Sequence, residues 1–290
     1  MCDTLYAVAR AVRFPPNEGL ILHATVYYDM EPTGEESVDE YVERITDFVA
    51  ESVDEAGADG VVVGLSGGID SATASALAAE ALGADDVHGL VMPSEVSQEE
   101  NMIDAERHAR DFGIEYDIVE IQPVVDKFLE GYGVDDDEAV GNLAARVRMC
   151  YNYLVANSEN TLVLGTGNRS ELLVGYYTKY GDGGVDILPI GGLYKTEVRE
   201  VARSLGVDED IIEKPPTAGL WEGQTDEEEL GATYDELDDF LRAYIDEGVS
   251  VEEAAEAADI TVETARRLEG MYRVSEHKRK TPPYPEFRRG

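Results

Sequence analysis

Cysteine, lysine and long apolar stretches are all scarce in this sequence. Two cysteines, Cys2 and Cys150, stand far apart in 290 residues. They form no C-x-x-C pair and are too few for a disulfide framework or a cysteine-based metal site, which fits a reducing compartment. No apolar run approaches the ~20 residues that span a bilayer, and the first residues lack the pattern of a secretory signal. A cytoplasmic protein away from membranes is expected. Basic side chains number 23 against 62 acidic ones, a formal charge of −39, and only six of them are lysines. Such a surface repels phosphate backbones and anionic lipid headgroups, so general nucleic-acid binding is not expected. Any anionic ligand must be held at a locally basic or amide-rich spot. Acidic faces stay hydrated in concentrated salt, where self-repulsion is screened over about 3 Å at 1 M. A salt-adapted cytoplasm is the expected setting.

Hydrophobic residues make up 43% of the chain, enough for a packed interior and against a disordered one. Residues 1–29 carry a net charge of only −1, and the composition changes abruptly at Met30. They read as an appendage, or as sequence ahead of a true start at Met30; a short strand pair over residues 19–28, rich in β-formers, is the alternative. The working domain is expected over residues 30–290, with a helical part from about residue 194.

Val42, Ile45, Phe48, Val49 and Val53 recur at helical spacing and predict an amphipathic helix over residues 41–53. Short apolar runs at 60–65, 88–92, 116–121 and 161–164 read as buried strands. Helical patterns at 71–82, 99–112 and 139–156 separate them. This alternation predicts an α/β fold, a parallel sheet with helices on both faces. Ligands of such sheets bind beyond the carboxyl ends of the strands. Helices follow over 194–205, 234–247, 251–258 and 262–275. The last two could pass for a helix-turn-helix DNA reader, but Glu252, Glu253, Glu256 and Glu263 would meet phosphates badly. A small helical subdomain packed on the sheet is the better reading.

The first strand runs into Ser66-Gly67-Gly68-Ile69-Asp70-Ser71 and then a helix. Glycines let consecutive amides turn inward as an anion nest, and the helix N-terminus adds its dipole. Ser66 and Ser71 can donate to phosphate oxygens. Asp70 has the wrong sign to bind phosphate, which makes a bridging magnesium ion its expected partner. The lysine of G-x-x-x-x-G-K-[ST] is absent, so the loop is not that of a kinase or GTPase.

This S-G-G-x-D-S loop resembles the pyrophosphate loop of the N-type ATP pyrophosphatases, which cleave ATP to AMP and pyrophosphate. Further stretches resemble the signature of the NAD synthetases within that superfamily. They are GTGNRSE at 165–171, GYYTKYGDGGVD at 175–186, PIGGLYKT at 189–196, KPPTAGLWE at 214–222 and HKRK at 277–280. One departure is Gly192, where the family often has Asp. The resemblance spans residues 41–285. It implies an adenine nucleotide alpha hydrolase-like, Rossmann-like fold with a C-terminal helical region. The implied reaction adenylates the nicotinate carboxylate of deamido-NAD with ATP and then delivers ammonia, giving NAD, AMP and pyrophosphate. An amidotransferase of the same superfamily, such as a GMP synthetase-type subunit, is the alternative. Glutamine-using relatives carry an amidase domain with a catalytic cysteine ahead of this region; Cys2 is too isolated to serve, so ammonia is the expected nitrogen source.

The resemblance also implies roles. Gly64, Leu65, Ser66, Gly67, Gly68, Ile69, Asp70 and Ser71 would hold ATP, with Thr166, Thr217 and Lys195. Asp70 and Glu171 would hold magnesium. Asn142, Arg146, Lys179, Asp186, His277 and Lys278 would bind deamido-NAD. Asp182 would sit by the reacting carboxyl and take a proton from ammonium, since only neutral ammonia is nucleophilic. Family members are usually homodimers, so a dimer is expected.

Overall fold

A run of β-branched residues, Val61-Val62-Val63, opens the sheet, and the rest of the architecture is arranged around it. The fold is that of a computed structural model, which describes residues 37–97, 99–217, 225–285 and 287. The expectations for residues 1–29, and for residues 218–222 of the KPPTAGLWE stretch, lie outside the described residues. Helix α1 (Val38–Ala56) starts at a reciprocal cap between Ser37 and Glu40 and stops at Gly57 in the left-handed conformation. Strand β1 (Val61–Gly64) leads through the glycine loop into α2 (Ile69–Leu82). Then come β2 (Val87–Val91), α3 (Glu99–Phe112), β3 (Glu115–Ile118), α4 (Gln122–Gly131), α5 (Asp137–Glu159) and β4 (Leu162–Leu164).

All four strands are parallel, in the order β3-β2-β1-β4. A parallel bridge from Leu164 to Ile187 extends the β4 edge. Period-2 alternation divides the valines between two cores. Val61 and Val63 pack with α1, α2 and α3 on one face, and Val62, Leu90 and Val163 pack with α4 and α5 on the other. The sheet is thus covered on both sides, as its nearly continuous apolar strands require. Chain order reverses between β1 and β4, which makes the carboxyl end of β1 a topological switch point, where a crevice opens.

The remaining helices are α6 (Arg169–Val174), α7 (Lys195–Ser204), α8 (Glu209–Ile212), α9 (Asp226–Leu230), α10 (Tyr234–Leu241), α11 (Val251–Ala257) and α12 (Val262–Val274). The expected helix over 234–247 breaks after Leu241 into a π-turn, Arg242–Asp246. Tertiary contacts account for the break: Arg242 pairs with Glu197 at 2.6 Å and lies over the Tyr194 ring, while Asp246 accepts from Tyr194 at 2.7 Å. The C-terminal helices build a core of their own from Tyr234, Leu237, Phe240, Leu241 and Leu268. They pack on α6 and α7, rather than on the sheet. Glu252, Glu253, Glu256 and Glu263 are exposed on α11 and α12.

Candidate functional site

The carboxyl ends of β1, β2 and β4 open into a cavity of about 630 Å³, closed on its far side by residues of the C-terminal helices. Most of the residues singled out by sequence line it: Gly64, Leu65, Ser66, Gly68, Ile69, Asp70, Ser71, Asn142, Thr166, Glu171, Asp182, Lys195, Thr217 and Lys278. Gly67 lies just behind the wall. Arg146, Lys179, Asp186 and His277 stand outside it.

The glycine loop is held by its own hydroxyls. Ser71 Oγ accepts from the Ser66 amide at 3.2 Å and donates to the Gly68 carbonyl at 3.0 Å, and Ser66 Oγ accepts from the Gly68 amide at 3.2 Å. Gly67 has φ +76°, and a Cβ there would meet the Asn101 carbonyl oxygen at 2.0 Å, so only glycine fits. No side chain caps α2. The first-turn amides of an α-helix have no partner within the helix. These amides, two hydroxyls and the helix dipole converge at one rim of the cavity, which is the construction of an anion site.

Facing the loop is a buried charge cluster. Lys195, the first residue of α7, is 3% exposed. Its ammonium donates to Asp70 Oδ2 and stands 4.0 Å from Glu171 Oε1 and 5.1 Å from the centre of the Tyr234 ring. Burial works against that charge, but Asp70 and Glu171 outweigh it and hold the ammonium above its usual range. Burial, and then the charge of Asp70, push Glu171 well above the ordinary carboxylate range, against the pull of Lys195. Asp70 and Glu171 therefore converge on the position of a single cation. Both offer only oxygen, the donor type of a hard octahedral ion that keeps waters and takes phosphate oxygens. Among the described residues no group of three or more His, Cys, Asp or Glu side chains is arranged to hold a metal alone. The donors present therefore suit magnesium that shares its shell with a phosphate ligand, and do not form a closed protein cage.

On the opposite wall, Asp182 is open to the cavity in a tight turn, where its Oδ1 accepts the Thr178 amide at 2.9 Å. The surrounding protein desolvates it and raises its carboxyl above the usual value. Lys278 donates to the carbonyls of Gly175 and Tyr177, both at 2.7 Å, and is itself lowered by burial, against the charge of Asp182. Thr178 Oγ1 donates to Asn142 Oδ1 at 2.7 Å. The outer group forms a chain on the rim: Arg146 reaches the Lys179 carbonyl at 3.3 Å, and the Lys179 ammonium donates to the His277 carbonyl. Asp186 is spent on the sheet, accepting the Val163 amide at 2.8 Å and the Tyr153 hydroxyl at 3.0 Å.

Three cavity residues, Asp226, Arg148 and Asn152, and one buried behind the wall, Asn168, escaped the sequence reading. Asn168, fully buried, caps α6 through Glu171 and donates to Asp70 Oδ1 at 3.0 Å, so it orients both carboxylates. Asp226, 3% exposed, accepts the Tyr234 hydroxyl at 3.0 Å and adds to the field at Lys195. Arg148 donates to the Met92 carbonyl at 3.0 Å, with burial lowering its pKa. Asn152 has a buried Oδ1 without a partner among the described residues. Helical spacing from Asn142 points to Arg146, four residues on, but the cavity stripe of α5 is turned to the other side of Asn142 and runs through Ala145, Arg148, Met149 and Asn152, so the period alone gave no signal for Arg148. A second hollow, about 520 Å³, lies among Glu197, Glu200, Asp235, Asp239 and Arg242. It has no amide-rich loop.

Comparison with known proteins follows the same outline. The NAD synthase family model matches residues 41–282. The chain is 50% identical over 245 residues to an NH(3)-dependent NAD(+) synthetase of Halobacterium salinarum, covering 84% of this chain and 91% of that one. It is 48% identical to the NH(3)-dependent NAD(+) synthetase of Methanocaldococcus jannaschii, covering 87% and 98%. Among solved structures it resembles an NMN synthetase from Francisella tularensis, with a TM-score of 0.78, 37% identity and coverage of 87% and 100%. An NH3-dependent NAD synthetase from Campylobacter jejuni, in complex with nitrate, gives a TM-score of 0.74 at 33% identity, again covering 87% and 100%.

Proposed function

The chain belongs to the NAD synthase family, and from that premise we propose how its residues divide the work. It is an enzyme that amidates deamido-NAD with ammonia to give NAD at the expense of ATP. A carboxylate is a poor electrophile with no usable leaving group. In the first step a nicotinate oxygen attacks the α-phosphorus of ATP and the bond to the β-phosphate oxygen breaks, so pyrophosphate leaves. In the second, ammonia adds to the acyl carbon of the mixed anhydride, loses a proton and expels AMP.

The observation that carries the assignment is the convergence of Asp70 and Glu171 on the Lys195 ammonium, in the same cavity as the amides of the glycine loop. The loop from Gly64 to Ser71 holds the outer phosphates of ATP, with Thr166 and Thr217 beside it. Lys195 acts as a fixed point charge on the oxygens that gain charge as pyrophosphate departs. Asp70 and Glu171 would hold magnesium; bound there it neutralises phosphate oxygens during transfer. Asp182 holds ammonium and accepts its proton, and its raised carboxyl pKa narrows the gap that this transfer must cross. Asn142 and Lys278 take the inner part of deamido-NAD. The rim group of Arg146, Lys179 and His277 takes its outer part, and Asp186 acts by fixing the turn against β4.

Exposed Ile118, Phe128, Tyr132 and Leu154 lie on or beside β3, α4 and α5. They support a homodimer that buries this side. No helix among the described residues is long and apolar enough to cross a membrane, and we place the enzyme in the cytoplasm.

The test is NAD formation from deamido-NAD, ATP, magnesium and ammonium, with pyrophosphate measured in parallel. Nicotinate mononucleotide and xanthosine monophosphate serve as competing acceptors, and glutamine as the competing nitrogen source. Turnover with deamido-NAD and ammonium supports the assignment. Preference for either other acceptor refutes it.

A further inference from the structure

Lys214 has no part in the roles above, yet its ammonium is the best-satisfied cation beside the glycine loop. It donates to the Gly67 carbonyl at 3.2 Å, to Asn101 Oδ1 at 3.0 Å and to Asp104 Oδ2. Neutralising Asp104 does not explain it. Asp104 is buried, but its other oxygen already accepts from Arg107 at 2.9 Å, and Arg107 is anchored in turn to Asp208 at 3.3 Å. What Lys214 adds is a grip on the main chain of the loop.

That grip falls on the peptide most able to turn over. Gly67 and Gly68 flank one planar unit, whose carbonyl and N–H point in opposite directions. With no Cβ on either side the unit has little steric barrier to flipping, and it is tied only by Lys214 at its oxygen and by Ser66 Oγ at its N–H. A flip would aim an oxygen at the bound anion. We propose that Lys214 is a positioning residue that locks the Gly67–Gly68 peptide with its carbonyl toward α3 and away from the triphosphate, while its N–H stays on Ser66 Oγ at 3.2 Å. Asn101 and Asp104, on the first turns of α3, are the fixed end of the tie. The Asn101 carbonyl, against which Gly67 is packed too closely for a Cβ, is the wall behind it.

This inference rests on the reading of the loop as the ATP phosphate site, and the experiment separates the two. Lys214→Met keeps the stem and removes the donors; Lys214→Arg keeps charge and donors; Ser71→Ala removes a loop hydroxyl and reports on the loop itself. Steady-state kinetics in each substrate, deamido-NAD-dependent exchange of pyrophosphate into ATP, and melting temperatures are compared. Lys214→Met raises KM for ATP tenfold or more and slows exchange, while KM for deamido-NAD and ammonium moves less than twofold and melting is nearly unchanged. Lys214→Arg recovers part of the loss. A residue serving only stability would instead lower melting without favouring one substrate. Should Lys214→Met fail to fold, Asn101→Ala removes one of the three acceptors and gives the same selective rise, smaller. If Ser71→Ala raises KM for ATP but neither Lys214→Met nor Asn101→Ala does, the tie is wrong and the loop assignment stands. If no variant affects ATP, both are overturned.

Discussion

At the scale of single residues, the chemistry turns on side chains whose protonation is set by burial. Asp182 is raised by desolvation and accepts the Thr178 amide, and the proposed role assigns it to the second half-reaction and not to the first. In Asp182→Asn, exchange of pyrophosphate into ATP should stay within about threefold of the parent, while NAD formation falls about a hundredfold or more, the usual contribution of a positioned general base. Equal loss of both would remove the role. His108 shows the same physics away from the site. Its ring packs against Phe112 at a 35° tilt with centroids 4.6 Å apart, and its Nε2 meets Ser75 Oγ at 2.9 Å. Burial pushes His108 down to about 4. The unfolded chain takes up the imidazole proton near pH 6.5, where histidine ordinarily titrates. Between that point and pH 4 the unfolded state therefore binds more protons than the folded one. The stability His108 contributes is full above pH 6.5 and is lost as pH falls through the window, by up to about 1 kcal/mol per pH unit. Urea midpoints for the parent and His108→Gln should converge as pH drops from 7.5 to 4.5. Parallel lines would show that the ring accepts a proton in the folded state.

Among the elements, the short helix α6 does most to shape the site, because its cap is also its chemistry. Asn168 Oδ1 accepts the Glu171 amide at 3.0 Å, Glu171 Oε2 accepts the Asn168 amide at 3.3 Å, and the remaining Asn168 N–H reaches Asp70. Asn168→Ala should cost about 1 kcal/mol for the lost cap and also free both carboxylates to drift. Asn168→Ser restores a good cap but lacks the reach to Asp70. Melting temperature should then recover while the ATP-dependent exchange rate does not. Recovery of both would reduce Asn168 to a helix stop. The sequence revealed Glu171 and Lys195 through the stretches that carry them. It hid Asn168 because nothing local says that a cap will touch a loop 98 residues away. Asp226 was hidden differently, in a run of four acids, Asp226–Glu229, that reads as a solvated face but turns its first member into the cavity. The same contrast holds for the fold. Helix α3 was legible to the residue at both ends, and β1, β2 and β4 to within two, because buried apolar runs and amphipathic periods are local patterns. Strand β3 ends at Ile118, short of the expected 121, since at a mostly exposed edge the apolar run no longer marks where pairing stops. The π-turn after Leu241 keeps a helical period and comes from contacts with Tyr194 and Glu197, which no window of sequence contains.

For the whole molecule, the governing quantity is charge. Three cores, two on the faces of the sheet and one in the C-terminal helices, surround a single cavity: Asp70 reaches it from the sheet side, and Asp226 and Lys278 from the C-terminal segment. Keeping them in register must overcome the self-repulsion of a chain at −39. Its ion pairs do little to offset that, because several, such as Lys127–Glu130 and Arg266–Glu252, are exposed, and exposed pairs contribute at most about 1 kcal/mol. ATP, itself an anion, must approach the same field. Screening therefore acts twice in one direction. As salt rises from 0.01 M to 1 M the Debye length shrinks from about 30 Å to about 3 Å, which relieves repulsion within the protein and between protein and nucleotide. Melting temperature and kcat/KM for ATP should both climb over this interval, with most of the change complete by 1 M and nearly equal for KCl and NaCl. The neutral substrate ammonia provides the internal control: its kcat/KM, corrected for the ammonium equilibrium, should vary much less. A rise appearing only at multimolar salt, larger for sulfate than for chloride, would signify strengthened apolar burial and not relief of charge, and would remove the electrostatic account of this surface.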